Sequence, residues 1–387
     1  MPKSRIGLDI GSTAVRAAEL SLGDNPSVLR VAQVPLPAGA VDNGEVREPE
    51  AVSEALRQLW DAGGFKTRKV WLGVGNQRVV VREISLPYLP EKELRSSLGF
   101  QVQEFIPMSV DDAVLDFDTM GEFEAEGRKM VSILLVAAQR VMVDKVVQAA
   151  LGAKIEPVGL DLIPFALVRA VGTSDAGLDL DRTGDEAIVD IGAHVTNIVV
   201  HSRGQTRFVR ILPSGGRDIT LAISHSLGID DEIAERLKRG EDVGQIEMGA
   251  PQGEEAEAYV SPPETGGPAG TDPASTPGVP AAPDPDQVRQ IAMRRASSLI
   301  DEIRSSLEFY GAQSQGGPGI SKVLVSGGGS KLPGFLELLA QRSPVPVEAG
   351  RVFQGIRSQL ALSDEVVAEA EPVLAVAVGL ALPGRNT

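Results

Sequence analysis

No cysteine occurs among the 387 residues, so disulfides and thiol nucleophiles are both excluded. A reducing compartment, the cytoplasm, is the expected setting. Histidine is nearly as scarce, with three residues, His194, His201 and His225. Without cysteine partners these cannot build a structural zinc site. No apolar run approaches the about 20 residues a membrane-spanning helix needs. The N-terminus also lacks a signal peptide's apolar core. Membrane association is therefore expected only indirectly, through a partner. A basic excess is missing too: the net charge of −16 argues against nucleic acid as a ligand.

That negative charge is unevenly placed. Residues 241–286 hold ten acids and nine prolines, with no lysine or arginine. Such a stretch cannot bury enough apolar surface to fold and reads as a disordered insertion within a domain. A solvated, a regulatory and a merely tolerated loop all fit it. The remainder has ordinary globular composition, 42% hydrophobic overall, and a length that suits two to three domains.

The chain is organised around its first strand and turn. Ile6 to Ile10 is an apolar run carrying one acid, Asp9, and Gly11-Ser12-Thr13 then turns the chain into a second strand, Val15–Leu20. The glycine leaves turn backbone open to an anion, and the hydroxyls add donors. An acid just before such a turn suits a hydrated Mg2+. Alone, the pattern fits an ordinary hairpin equally well. It recurs, however, at residues 187–200: an apolar strand, Asp190, Gly192, a polar turn with His194, and a second strand with Thr196 and Asn197. Each copy opens a unit of three strands and a helix, the mark of an internal duplication. Two such halves facing one another would bring both turns to one cleft, with Asp9 and Asp190 converging on the cation of a polyphosphate. No GxxxxGK[ST] motif is present, so this is a different device from a P-loop.

Three further features complete a nucleoside-type set. Gly215-Gly216 precede a helix. Glu235 and Lys238 lie three apart on the next helix, placed either to hydrogen-bond a ribose or to form an exposed ion pair. Gly327-Gly328-Gly329-Ser330 follows a strand and either admits an adenosine closely or is a plain strand-to-helix loop.

Between these, residues 38–47 read as loop and 49–62 as a helix. Residues 77–150 form a compact α+β insertion. Its Leu94, Leu98, Val102 and Phe105 recur at helical spacing, as the insertion's own core or as a face for a partner. A long amphipathic helix covers Val288 to Tyr310, and an apolar helix over Val373–Leu382 closes the chain.

In this arrangement the sequence resembles the actin-like ATPase superfold of actin, Hsp70, sugar kinases and FtsA. Asp9 to Thr13 and Asp190 to Thr196 are similar to its two phosphate motifs, Gly327 to Gly334 to its adenosine motif, and Ala234 to Lys238 to the ribose-binding helix. Pro87-Tyr88-Leu89-Pro90-Glu91, Gln103 to Pro107 and Glu302 to Tyr310 resemble the PilM family of type IV pilus assembly.

The resemblance implies a duplicated α/β fold, actin-like (ribonuclease H-like). Subdomain 1A would be 1–76 with 151–172 and 366–387, and 1C would be 77–150. Subdomain 2A would be 185–229 with 320–365, and 2B would be 230–319. It implies ATP and Mg2+ between the halves. It also implies a groove beside 1C for the N-terminal peptide of a PilN-like inner-membrane protein, with other pilus-platform proteins as further partners and self-association left open. Two departures stand out. His194 replaces a glycine of the second phosphate motif, to contact a phosphate or to serve structurally. Ile163-Pro164 replaces the Glu-Pro that would position the attacking water, with Asp161 two residues away as a substitute. Slow ATP turnover at most is therefore expected. The alternatives are an FtsA-like cell-division protein, which would carry a C-terminal amphipathic helix not seen before Thr387, and a small-molecule kinase.

Overall fold

The computed structural model describes residues 4–23, 25–172, 184–241, 243, 283–313, 319–353, 356–360 and 363–384. The connection expected over 172–184 and most of the acidic proline-rich stretch lie outside them. The chain forms two compact units, 1–218 with 297–387, and 219–296.

The strands and helices run in this order. β1 (Ser4–Ile10), β2 (Ala14–Ser21) and β3 (Ser27–Pro35) form a meander, and β4 (Val41–Asp42) and β5 (Glu45–Val46) a small hairpin. Then come α1 (Pro49–Gly63), β6 (Lys69–Val74), β7 (Val79–Pro87), α2 (Glu91–Val102), β8 (Ala113–Ala125), β9 (Arg128–Gln139) and α3 (Arg140–Gly152). β10 (Glu156–Leu162) leads into the short α4 (Ile163–Leu167). β11 (Asp185–Ile191), β12 (Thr196–Ser202) and β13 (Gln205–Leu212) repeat the opening meander and precede α5 (Gly216–Leu227), α6 (Asp231–Lys238) and α7 (Pro285–Gln313). β14 (Ile320–Ser326), α8 (Phe335–Arg342), β15 (Val347–Ala349), β16 (Arg357–Ser358) and α9 (Asp364–Ala381) complete the chain.

The duplication is visible in the sheets. The first has the order β10-β6-β1-β2-β3-β16, the second β13-β12-β11-β14-β15. In each, an antiparallel three-strand meander is extended by parallel strands beside its first strand: β6 and β10 in one, β14 and β15 in the other. A first core lies against α1 and α3 and includes Leu8, Leu56, Leu59, Leu72 and Val146. A second joins Ala18, Leu20, Ile188 and Val199 of the two sheets to α4 and α9, through Ala166, Leu167, Ala375 and Val378. The apolar helix α9 thus belongs to both halves.

The insertion is a separate three-stranded sheet, β7-β9-β8, covered by α2. Leu94, Leu98 and Val102 are buried in its core with Ile133 and Leu135, and Phe105 packs against them. The apolar stripe is therefore the module's own interior.

Three sequence expectations need correction. Residues 38–47 contain the hairpin β4–β5, too short to leave a periodic signal. α9 starts nine residues before Val373, at Asp364, where Ser363 Oγ accepts the Val366 N–H at 3.4 Å. A proline normally ends a helix by removing a donor; here Pro372 stays inside α9. Its carbonyl accepts from Gly327 N–H at 3.0 Å and Ser326 hydroxyl at 3.1 Å. Finally, β16 adds an edge strand beside β3 that nothing in the sequence had marked.

Candidate functional site

Two turns, built alike, sit where β1 and β11 end. That is the carboxyl edge of parallel strands, where α/β sheets place their ligands. Gly11 N–H closes the first on Ala14 O at 3.1 Å, and Gly192 N–H closes the second on Val195 O at 2.9 Å. Ser12 and Thr13 cap the first turn, with Thr13 O accepting the Leu36 N–H at 2.9 Å. In the second turn Thr196 is fully buried and donates to Ser214 O at 2.7 Å.

The acids behind the turns are buried: Asp9 is 6% and Asp190 7% exposed. Burial pushes the Asp9 carboxyl above its ordinary value, and Arg16, 3.6 Å away, partly offsets this. Asp190 is pushed up to about 7, first by burial and then by the charge of Asp9, against weaker opposition from Asn197 and Arg16. Asn197 Nδ2 donates to Asp190 at 3.4 Å, while its buried Oδ1 has no hydrogen-bond partner. Two desolvated carboxyls, the charge of one opposing ionisation of the other, beside an orphaned amide oxygen, form an all-oxygen donor set. Hard divalent cations such as Mg2+ prefer that chemistry. The residues present therefore fit the group that the sequence implies.

Other candidates gather at the second turn. Gly216 N–H donates to Gly192 O at 3.0 Å, so Gly215-Gly216 is docked on that turn at the start of α5. Asp218 steadies it, accepting from Gly215 N–H at 2.9 Å and Ser214 hydroxyl at 2.8 Å. β14 runs parallel beside β11 with Asp190 opposite Ser326, so Gly327-Gly328-Gly329 emerges next to Ile191. Ser330 hydroxyl folds back to Gly327 O at 2.7 Å.

His194 is tied elsewhere. Its Nδ1 lies 3.0 Å from Asp42 Oδ1 and 3.3 Å from the Asn43 N–H, both on the β4–β5 hairpin. Asp161 is on β10, two strands away from β1; it pairs with Arg169 and accepts the Leu162 N–H at 2.7 Å. Ile163 is a hydrocarbon packed over Gly73 and Gly75, with nothing to polarise a water.

Glu235 and Lys238 belong to the 219–296 unit. Lys238 Nζ donates to Glu235 at 2.6 Å and to Thr220 Oγ1 at 2.9 Å, and Arg239 donates to Glu235 at 3.0 Å. Burial pushes the Glu235 carboxyl up, but Lys238, the Thr220 hydroxyl and Arg239 outweigh it and hold it below its ordinary value.

Sequence reasoning missed Arg16, Asp218 and the hairpin, while Asn197 was among its candidates. Arg16 was recoverable: it follows Asp9 by seven positions, as Asn197 follows Asp190, the cross-strand neighbour in a hairpin of this length.

The model of the type IV pilus assembly protein PilM family matches residues 7–248. The chain belongs to that family. The PilM match covers the first meander, the three-stranded module and the second phosphate-like turn. A cell division protein FtsA model matches 187–379, which spans the second half. FtsA of Bacillus subtilis is 26% identical over 254 residues, 60% of this chain. The chain spans 57% of the length of that curated relative. Among solved structures, a PilM–PilN type IV pilus biogenesis complex superposes with a TM-score of 0.77 at 27% identity, over 97% of both chains. The ethanolamine utilization protein EutJ from Carboxydothermus hydrogenoformans gives a TM-score of 0.51 at 15% identity, over 99% of this chain and 91% of its own. The fold of this PilM-family chain is thus the actin-like one. Among the described residues no helix is long and apolar enough to cross a membrane.

Proposed function

We propose that this PilM-family chain is an ATP-binding scaffold of a type IV pilus platform, capturing the N-terminal peptide of a PilN-like membrane protein beside its three-stranded module. The observation that supports nucleotide binding is the set of buried acids, Asp9 and Asp190, each behind a glycine turn and each held above its ordinary value by burial, with the charge of Asp9 raising Asp190 further. Such a pair is costly unless a cation shares it. Asp9 and Asp190 would hold the Mg2+ of a bound nucleotide, which would supply the positive charge that offsets the pair. The chain's own contribution is positional. Gly11, Ser12, Thr13, Gly192 and Gly215-Gly216 supply backbone and hydroxyl donors to phosphates, and Gly327 to Ser330 faces the adenosine; within the 219–296 unit, Glu235 and Lys238 form a hydrogen-bonding pair of the kind a ribose hydroxyl takes.

With Ile163 in place of an acid, hydrolysis is slow and the nucleotide serves to set conformation. The divisions 1A, 1C, 2A and 2B follow from the same reading, with 1C at residues 77–150. Attachment to the inner face of the membrane runs through the PilN-like partner, whose name comes from the PilM–PilN complex that this chain resembles.

Calorimetry with Mg-ATP and pull-down with the partner's N-terminal peptide test the two claims separately. Micromolar or tighter binding is expected, lost in Asp9→Ala and Asp190→Ala. An intact protein without Mg-ATP affinity would end the nucleotide claim.

A further inference from the structure

The β4–β5 hairpin is the feature that the nucleotide reading leaves unused. Its tip, Asn43-Gly44, has both φ angles positive, 50° and 72°, as a tight two-residue hairpin turn requires. One side of the tip meets the second turn. There Asp42 and the Asn43 N–H converge on His194 Nδ1, and the site of a Gly44 Cβ lies 3.6 Å from Val195 Cγ2. That single ring nitrogen donates to Asp42 when it carries a proton and accepts from Asn43 when it does not, so the tip is held in either state.

The other side of the tip leaves no slack. A Gly44 Cβ would stand 2.9 Å from both Asn76 Cβ and the Gly75 carbonyl oxygen. Fully buried Asn76 donates to Gly44 O at 3.3 Å and accepts the Arg78 N–H at 2.8 Å. At the hairpin's root, buried Glu45 takes Arg78 Nε at 2.6 Å and Arg47 Nη1 at 3.2 Å. Arg78 then donates to Gln139 Oε1 at 2.8 Å. Arg78 immediately precedes β7 and Gln139 ends β9. The hairpin therefore stands between the second phosphate-type turn and the base of the three-stranded module, in contact with both.

We propose that the hairpin positions the second turn and passes its occupancy to the three-stranded module, with Asp42 and Asn43 as the sensing residues and Glu45–Arg78 as the output link. This rests on the nucleotide reading above. A ligand shifts an equilibrium only through contacts that differ between states. Phosphate held by the His194-bearing turn changes what the tip touches. Because the tip is jammed against Gly75-Asn76, its displacement is taken up at Glu45 and Arg78. Coupling of this kind is reciprocal, so a partner seated on the module would change nucleotide affinity by the same factor.

Amide hydrogen exchange of residues 79–87 and 128–139, with and without Mg-ATP, tests the link on the full chain. Wild type is expected to exchange at least about fivefold more slowly with Mg-ATP bound. Glu45→Gln and Arg78→Gln are expected to keep Mg-ATP affinity within about twofold while losing that response. Arg78 is 44% exposed, so its variant keeps the test open if Glu45→Gln fails to fold. A full response in folded Arg78→Gln overturns the proposal, as does tight Mg-ATP binding by wild type with unchanged exchange; in both cases nucleotide binding stands. Absence of Mg-ATP binding by wild type removes both.

Discussion

Across the β1–β2 ladder Asp9 stands opposite Arg16; across β11–β12, in the same register, Asp190 stands opposite Asn197. One half gives its acid a cation, the other an amide. The pairing register is the same in both copies, so the difference lies in the side chains. It sets the charge balance between the halves. Arg16 draws Asp9 toward ionisation, while for Asp190 burial and the charge of Asp9 outweigh a 3.4 Å amide contact and the more distant Arg16. Arg16 thus opposes the rise of the first acid, while burial and the charge of Asp9 let the second hold its proton up to about pH 7. The two copies of the fold thus give equivalent acids different cross-strand neighbours.

Removing either acid breaks the comparison outright. Asp9→Ala and Asp190→Ala should each weaken Mg-ATP binding roughly 30-fold or more, the range for truncating one member of a buried charged set. Calorimetry at fixed Mg2+ measures this. Arg16→Gln comes next. Without its cation Asp9 ionises less readily, and affinity should fall about tenfold, for a one-unit shift. Retention of wild-type affinity would show that Arg16 does not support the pair.

The pH profile sharpens the contrast. Asp190 holds its proton up to about pH 7 and must release it to a cation. Mg-ATP affinity should therefore climb by up to about tenfold per unit as pH rises toward 7, and level off above it. Stability without ligand runs the other way. A carboxyl raised by folding binds more protons in the folded state, so stability falls as pH rises from the unfolded value near 4 toward 7. Asp190→Asn should flatten both slopes, read by calorimetry and by denaturant melts. The smallest effect belongs to Asn197→Ala, which removes one long hydrogen bond and should cost about threefold in affinity.

Much of this was legible because duplication writes the same pattern twice. The two Asp-Ile-Gly turns, their flanking strands and the module's apolar stripe all follow from local periodicity. What escaped was non-local or too short. Asp42 and His194 are 152 positions apart, and no spacing rule joins them. The β4–β5 strands have two residues each, below the length at which alternation exists. The start of α9 was hidden by its composition, acidic up to Glu371 and interrupted by Pro372, so the apolar pattern begins only where the helix becomes buried.

Helix α9 has one more consequence. A methyl group on Gly7 would collide with the Ala377 carbonyl oxygen, and one on Gly379 with that of Ala166. Strand, closing helix and connector thus meet backbone to backbone, with no side chain between to cushion sliding. A joint of that kind tolerates no added atom: a methyl on Gly379 would overlap the Ala166 carbonyl oxygen, so Gly379→Ala should force the connector and the closing helix apart and lower stability in denaturant melts without altering a single proposed binding residue.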